Sequence, residues 1–403
     1  MHKHQRIRPI ILAATFICSL SACHAPGLRK GGKPSCRAAS FALSQLRRNL
    51  DLIPPGRFPI RTKGQAAWEL TPPSTWTSGF YPGCLWMAYR LSGDSSWIGP
   101  ARIKTDELKE QQFNTGTHDV GFMMMSSYGQ ALLLNPDEED KRILLQSARS
   151  LASRFNRKAG CLQSWNGDFQ VIIDNMMNLE LLFWAYRQGG GPDLREIAVS
   201  HADQTIKNHL REDGGSFHVV VYDTATGLVK ERRTAQGYTA GSTWARGQAW
   251  GIYGFTMCFR ETGDSLYLKT ALRMADYFLD HLPEDHVPFW DFNLPADHPR
   301  RVRDASAAAI ASSALLELKK YAGNPEPYDR AADGMMAALI DRYLSKGTGS
   351  SGILLHAAYN ANSRDPDDWD ASTIWGDYYF LEALYRYLHR TGPFGIRPDP
   401  AVM

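Results

Sequence analysis

"VIIDNMMNLELLFWAY", residues 171–186, sets one carboxylate, Asp174, behind Val-Ile-Ile and ahead of an apolar run, Met176 to Tyr186, that reads as a buried helix. Aspartate at such a place is a good helix cap, because its side chain accepts a free backbone N–H of the first turn. A second stretch has the same design: "THDVGFMMMSSYGQALLL", residues 117–134, puts Asp119 at the head of another apolar helix. Two carboxylates at the mouths of two buried helices have room to face one pocket, which capping by itself does not require.

Working outward, helical periodicity dominates from about residue 36 to 390. Six helices open on a small, polar or aromatic motif and continue as small and apolar residues. Their starts read "WTSGFYPG" (76–83), "THDVGF" (117–122), "IIDNMMN" (172–178), "STWARGQAWG" (242–251), "VRDASAAA" (302–309) and "STIWGDYY" (372–379). Between them lie charged, amphipathic helices such as "DEEDKRILLQSARSLASRF", "DLREIAVSHADQTIKNHL" and "SLYLKTALRMADYFLDHL". Helices that are apolar all round are buried, whereas amphipathic ones keep a wet face. A closed ring of inner helices inside a ring of outer ones satisfies both patterns, which predicts an all-α fold, an (α/α)6 barrel. Inner helices are expected to begin near residues 77, 119, 174, 244, 304 and 373, with their N-termini on one concave face. Strand signals are sparse; "GGSFHVVVYD" (214–223) is the clearest and reads as local.

The chain has 403 residues, 43% hydrophobic, with a net charge of +3, so it builds a large core and carries no charge bias towards nucleic acid. Its 11 Trp, 17 Tyr and 17 Phe serve a core and also suit stacking on sugar rings. The N-terminus is not fold. "MHKHQRIRP" is a basic lead, "IILAATFICSL" a short apolar stretch, and the segment ends in "LSAC". That pattern resembles a bacterial lipoprotein processing box with Cys23 as the lipidated residue; the other reading is an ordinary signal peptide cut near Ala22. The expected organisation is a signal peptide at 1–22, a tether at 23–35 and one catalytic domain at 36–395, on a periplasmic lipoprotein held to the membrane through Cys23. The spacing of Cys36, Cys84, Cys161 and Cys258 fits neither a zinc site nor a dense disulfide framework, and Cys84 and Cys258, inside apolar helices, read as free buried thiols.

These motifs, with "PFWDF" and "GILLHAAY", cover roughly residues 68–390 in order and resemble the unsaturated glucuronyl hydrolase family. The resemblance implies an (α/α)6 barrel that needs neither metal nor cofactor. It implies removal of a 4,5-unsaturated uronic acid from the non-reducing end of lyase-generated oligosaccharides of the glycosaminoglycan type. In that chemistry an acid protonates C4 of a vinyl ether, water adds at C5, and the hemiketal rearranges to release the aglycone. By resemblance the acid is Asp174 with Asp119 as its partner. Burial behind Val171, Ile172 and Ile173 supports this, since it disfavours the charged form and raises the pKa.

Further residues follow by matched motif: Trp76, Trp165, His218, Gln236, Arg246 and Trp250 as substrate contacts. His218 reads equally as a strand histidine with a satisfied hydrogen bond, and the three Trp residues as core. Arg246 lies amid Trp and Gly on an apolar helix and needs an anion; the expected anion is the substrate carboxylate. His118 either orients Asp119 or touches sugar. Asp304 and Asp377 read mainly as caps. In "YNANSRDPDDW" (359–369), where the family's sulfate-discriminating loop lies, Ser363 and Arg364 are candidates to contact a sulfate. Asp365, Asp367, Asp368 and Asp370 argue against a strongly sulfated partner there, and a solvated loop is the competing reading. Three other functions remain open: an unsaturated rhamnogalacturonyl hydrolase, a conventional inverting glycosidase using Asp119 and Asp174, and a non-catalytic glycan-binding lipoprotein.

Overall fold

The computed structural model describes residues 33–389. Cys23, the signal segment and most of the tether lie outside the described residues, as do positions 390–395 of the expected domain. Pro34 and Ser35, read as the end of the tether, open the first helix.

Outer and inner helices alternate along the chain. Outer α1 (Pro34–Leu52) precedes a hairpin of β1 (Phe58–Thr62) and β2 (Trp68–Thr71), and then inner α2 (Phe80–Ser92). Outer α3 (Ile98–Asp106) leads to inner α4 (Val120–Met124), which runs through a π-helical turn at Met125–Gly129 into α5 (Gln130–Leu134). Outer α6 (Glu138–Ala152) is followed by a short hairpin of β3 (Phe155–Asn156) and β4 (Cys161–Leu162), then β5 (Gln170–Ile172) and inner α7 (Leu179–Arg187). Outer α8 (Pro192–His209), β6 (Val219–Tyr222) and β7 (Val229–Arg233) precede inner α9 (Ala245–Thr262). Outer α10 (Ser265–Asp280), inner α11 (Ala305–Leu318), outer α12 (Glu326–Arg342) and inner α13 (Ile374–His389) complete the series. The inner helices contact one another in sequence and α13 returns to α2, so the ring closes. This is the expected (α/α)6 barrel.

The residue types explain the layers. Every residue of α11, "ASAAAIASSALLEL", is buried, and its small side chains admit neighbours on all sides. In α10 only one face is buried, through Tyr267, Thr270, Ala271, Met274, Ala275 and Phe278, the helical i, i+3, i+4 pattern. The charged members of the inner helices satisfy one another: Arg260 holds Glu317 at 2.8 Å, and Arg386 lies 3.1 Å from Glu317 and 3.5 Å from Glu382. Buried charges persist when paired in this way. Cys84 and Cys258 are free and buried, as expected.

Three local expectations change. The run after Asp174 does not start as an α-helix: Ile173–Asn178 is a 3-10 helix, and α7 begins only at Leu179. The strand at 219–222 is not local, because β6 pairs with β7 and also with β5, in register Ile172 to Val219. Asp377 does not cap its own helix; its carboxylate accepts the N–H groups of Ile353 at 2.8 Å and Leu354 at 2.9 Å. A buried segment of that kind must find acceptors for its amides, and a carboxylate offers two oxygens at once.

Candidate active site

The sheet pins the two halves of the site together. After β5 pairs with β6, the N–H of Ile173 donates to the carbonyl of His218 at 3.1 Å. Asp174 is therefore delivered beside the His218 side chain, across 44 residues of sequence. A cavity of about 350 Å³ opens there, lined by Trp76, Asp119, Phe122, Trp165, Ile172, Asp174, Ala235, Gln236, Tyr359 and Asn360. Its size is at the small end of ligand pockets, enough for one sugar ring and an approach.

Asp174 makes no capping bond, and its Oδ2 is buried with no partner among the described residues. Burial pushes its carboxyl up to about 7, with the charge of Arg246 opposing and that of Asp119 adding to the rise. Asp119 is likewise pushed up to about 7 by burial, but Thr117, Asn178 and Arg154 oppose the rise. Its Oδ2 accepts from the Thr117 hydroxyl at 3.2 Å, and its Oδ1 lies 3.2 Å from Nε2 of His118. Two buried like charges cannot both ionise cheaply, so the pair retains one proton near neutrality. Both carboxyls are thus raised alike to about 7; the Thr117 hydroxyl opposes the rise at Asp119, whereas Oδ2 of Asp174 has no partner among the described residues.

His218 is neutral. Burial, then the charge of Arg246, holds its ring down to about 3. Its Nδ1 accepts the backbone N–H groups of Ala235 and Gln236, each at 3.3 Å, so the proton sits on Nε2. Nε2 lies 3.9 Å from Oδ2 of Asp174. His118 is also neutral, held down to about 3 chiefly by burial, and is wholly buried behind Asp119. It stands beside Asp119 and is not among the residues that line the cavity.

Of the residues expected from sequence, Trp76, Trp165, Gln236, Asp119 and Asp174 line the cavity. Four expectations need correction. The anion of Arg246 is Asp304, at 2.7 Å, and the guanidinium also donates to the carbonyls of Ala358 at 2.5 Å and Tyr359 at 2.8 Å. A guanidinium this deeply buried must be neutralised by the protein itself before any substrate arrives. Asp304 caps α11 through Ser306 and Ala307, as read, and serves Arg246 with its other oxygen. Trp250 is core: it is 1% exposed and packs behind Phe122, ring centroids 5.1 Å apart. Ser363 and Arg364 do not line the cavity; the Ser363 hydroxyl accepts the N–H of Asp365 in a turn, and Arg364 is exposed. The acidic residues near them are partly spent on Arg61, which lies 2.6 Å from Asp368 and 3.3 Å from Asp365.

Sequence reasoning missed Phe122, Tyr359 and Asn360 in the lining, and Asn178 and Asp304 behind it. Tyr359 is placed by Arg246 and by Gln236, whose Nε2 donates to its carbonyl at 2.9 Å.

The model of "Glycosyl Hydrolase Family 88" matches residues 55–388. An unsaturated glucuronyl hydrolase of Formosa agariphila is 43% identical over 325 residues, covering 78% of this chain and 80% of the relative. The crystal structure of an unsaturated glucuronyl hydrolase specific for heparin superposes with a TM-score of 0.84 at 39% identity, over 89% of this chain and 98% of that one. That of the Bacillus sp. GL1 unsaturated glucuronyl hydrolase, responsible for the degradation of glycosaminoglycan, gives 0.83 at 36% identity, over 88% and 96%. With the family model matched over residues 55–388 and relatives this similar on a closed helical barrel, the chain belongs to glycosyl hydrolase family 88, among the unsaturated glucuronyl hydrolases.

Proposed function

We propose that this glycoside hydrolase removes the 4,5-unsaturated uronic acid from lyase-generated, glycosaminoglycan-type oligosaccharides by hydrating the vinyl ether. The observation that carries the reading is the buried, unpartnered Oδ2 of Asp174, its carboxyl raised to about 7 by burial, facing a one-ring cavity that Asp119 also lines. Asp174 gives its proton to C4. The resulting carboxylate takes a proton from the water that attacks C5, so one group serves both steps. The C5 hemiketal then opens to a ketone, the C1 hemiacetal collapses, and the aglycone leaves with its oxygen. Asp119 holds ring hydroxyls, and Trp76 and Trp165 offer apolar faces to the sugar. The relatives named above support the substrate class.

Incubation with a panel of unsaturated disaccharides, pectin-derived ones included, should remove the double-bond ultraviolet absorbance of the glycosaminoglycan members. In heavy-oxygen water the label should appear at C5 of the released keto-sugar. Label at C1 with the double bond intact would instead mean conventional glycoside hydrolysis.

The same proposal includes an address. The "LSAC" box supports a lipid on Cys23 and a periplasmic, membrane-held enzyme. Cys23→Ala should release protein from the membrane fraction; a wild type that is already soluble and unlipidated would refute the anchor.

A further inference from the structure

We propose that Thr234 is a positioning residue that fixes which edge of the His218 ring faces Asp174. The proposal rests on the reading of Asp174 as the acid. His218 precedes β6 and Thr234 follows β7; because Val219 pairs with Arg233, one step further along the ladder sets His218 beside Thr234. The Thr234 hydroxyl lies 3.3 Å from Nδ1 of His218. The same oxygen accepts the N–H of Gly237 at 2.7 Å, which closes a turn over residues 234–237. From that turn the N–H groups of Ala235 and Gln236 reach Nδ1, each at 3.3 Å. Because Nδ1 accepts those two amides it carries no proton, and the Thr234 hydroxyl is a donor to it. One hydroxyl thus accepts from the turn and donates to the ring.

These bonds matter because packing does not choose the orientation of the ring. His218 lies against Trp244, with ring centroids 4.5 Å and planes 34° apart, and Trp165 meets it edge-on at 6.1 Å. An imidazole turned by half a rotation about its Cβ–Cγ bond fills nearly the same space. It would put Cε1 where Nε2 now stands, 3.9 Å from Oδ2 of Asp174, and Cδ2 where the donors of the turn converge. Only directional bonds tell the two orientations apart. Thr234 supplies one of them and closes the turn that supplies the other two. A Cβ on Gly237 would stand 2.7 Å from the Thr234 oxygen, so glycine lets the hydroxyl come this close. The turn is also held by bonds that do not use the hydroxyl. Nε2 of Gln236 donates to the carbonyl of Tyr359 at 2.9 Å, Nδ2 of Asn362 donates to that of Gly237, and Asp291 accepts the N–H of Tyr238 at 2.9 Å. Removing the hydroxyl therefore frees the ring more than it unfolds the turn.

The first readout needs no substrate. In ring-nitrogen NMR of the histidine-labelled full chain, the His218 signals, identified by their loss in His218→Gln, should show Nδ1 bare and Nε2 protonated. Thr234→Val keeps the shape of the side chain and removes the hydroxyl. It should shift both His218 nitrogen signals, or split them, as the other tautomer or the turned ring becomes populated. The second readout is steady-state kinetics with an unsaturated disaccharide. Thr234→Val should lower kcat by about tenfold with KM within about threefold, because a misplaced donor costs orientation at the reacting atoms more than it costs binding. Thr234→Ser, which keeps the hydroxyl, should restore the signals and most of the rate. In a His218→Gln background, Thr234→Val should cost nothing further, since its effect passes through the ring. Unmoved His218 signals and a wild-type kcat in Thr234→Val, with only a lower melting temperature, overturn the proposal. A further tenfold loss in the His218→Gln background overturns it too. If Thr234→Val does not fold, Thr234→Ala is read against the same outcomes. A wild type that consumes no unsaturated disaccharide would overturn the proposed function instead, and the NMR signals would still decide what Thr234 does.

Discussion

Nε2 of His218 and Oδ2 of Asp174 face each other across 3.9 Å, and neither has a hydrogen-bond partner among the described residues. A sugar ring or a water between them would meet both atoms, and the tautomer of His218 makes it a donor towards that space. On the proposed mechanism this gap is where C4 of the sugar would meet the Asp174 proton.

Asp174→Asn should keep the fold, since the carboxylate makes no cap, and should lose about 100-fold to 10,000-fold in kcat, the range typical of general acid–base catalysis. Steady-state kinetics with circular dichroism as a folding control would check this. Retention of more than a tenth of the wild-type rate would remove Asp174 as the acid.

The activity should fall as pH rises through about 7, because the acid must hold its proton and burial sets the Asp174 pKa there. Stability follows the same sign. Asp119, Asp174 and Asp377 each have a folded pKa raised to about 7 against an ordinary 3.8. The folded state therefore binds more protons, and stability present at acid pH is lost as pH rises towards and through about 7. Melting temperatures from pH 5 to 8 should decline, and Asp377→Asn should decline less steeply while starting lower, having lost one of two amide contacts.

Arg246→Ala should destabilise the protein as well as weaken substrate binding. It strands Asp304 as a buried, unpaired charge, a loss of about 3–5 kcal/mol, and it frees the Tyr359 wall of the cavity. Denaturant melts and KM would register both effects. Adding Asp304→Asn should recover part of the stability, because the stranded charge is gone while an asparagine still caps α11. A double variant no more stable than Arg246→Ala would contradict this account.

Trp250 and Trp165 should respond oppositely. Trp250→Ala opens a core cavity and should cost about 3–5 kcal/mol of stability. Trp165→Ala, at the half-exposed rim, should leave the melting temperature nearly unchanged and raise KM. If Trp250→Ala melted like the wild type, its place in the core would be wrong.

Much of this was legible along the chain because it is set by near neighbours. Whether a helix is apolar on one side or all round depends on residues three and four apart, and that pattern alone separates α10 from α11 and implies a ring inside a ring. The positions of Asp119 and Asp174 at helix mouths, and hence their burial and raised pKa, follow from the same local signal. The partners of the polar groups did not follow. Arg246 announced that it needed an anion, but its choice of Asp304, 58 residues away, is made when α9 and α11 meet in the closed ring. The direction of the His218 proton depends on the backbone amides of Ala235 and Gln236, which β6 and β7 bring round to it. The retreat of Ser363 from the cavity depends on how the 359–369 loop ties itself to Arg61. Apolar burial is non-directional, so periodicity in one dimension suffices to foretell it. A hydrogen bond or ion pair needs a specific atom within about 3 Å, and only the folded chain decides which one arrives.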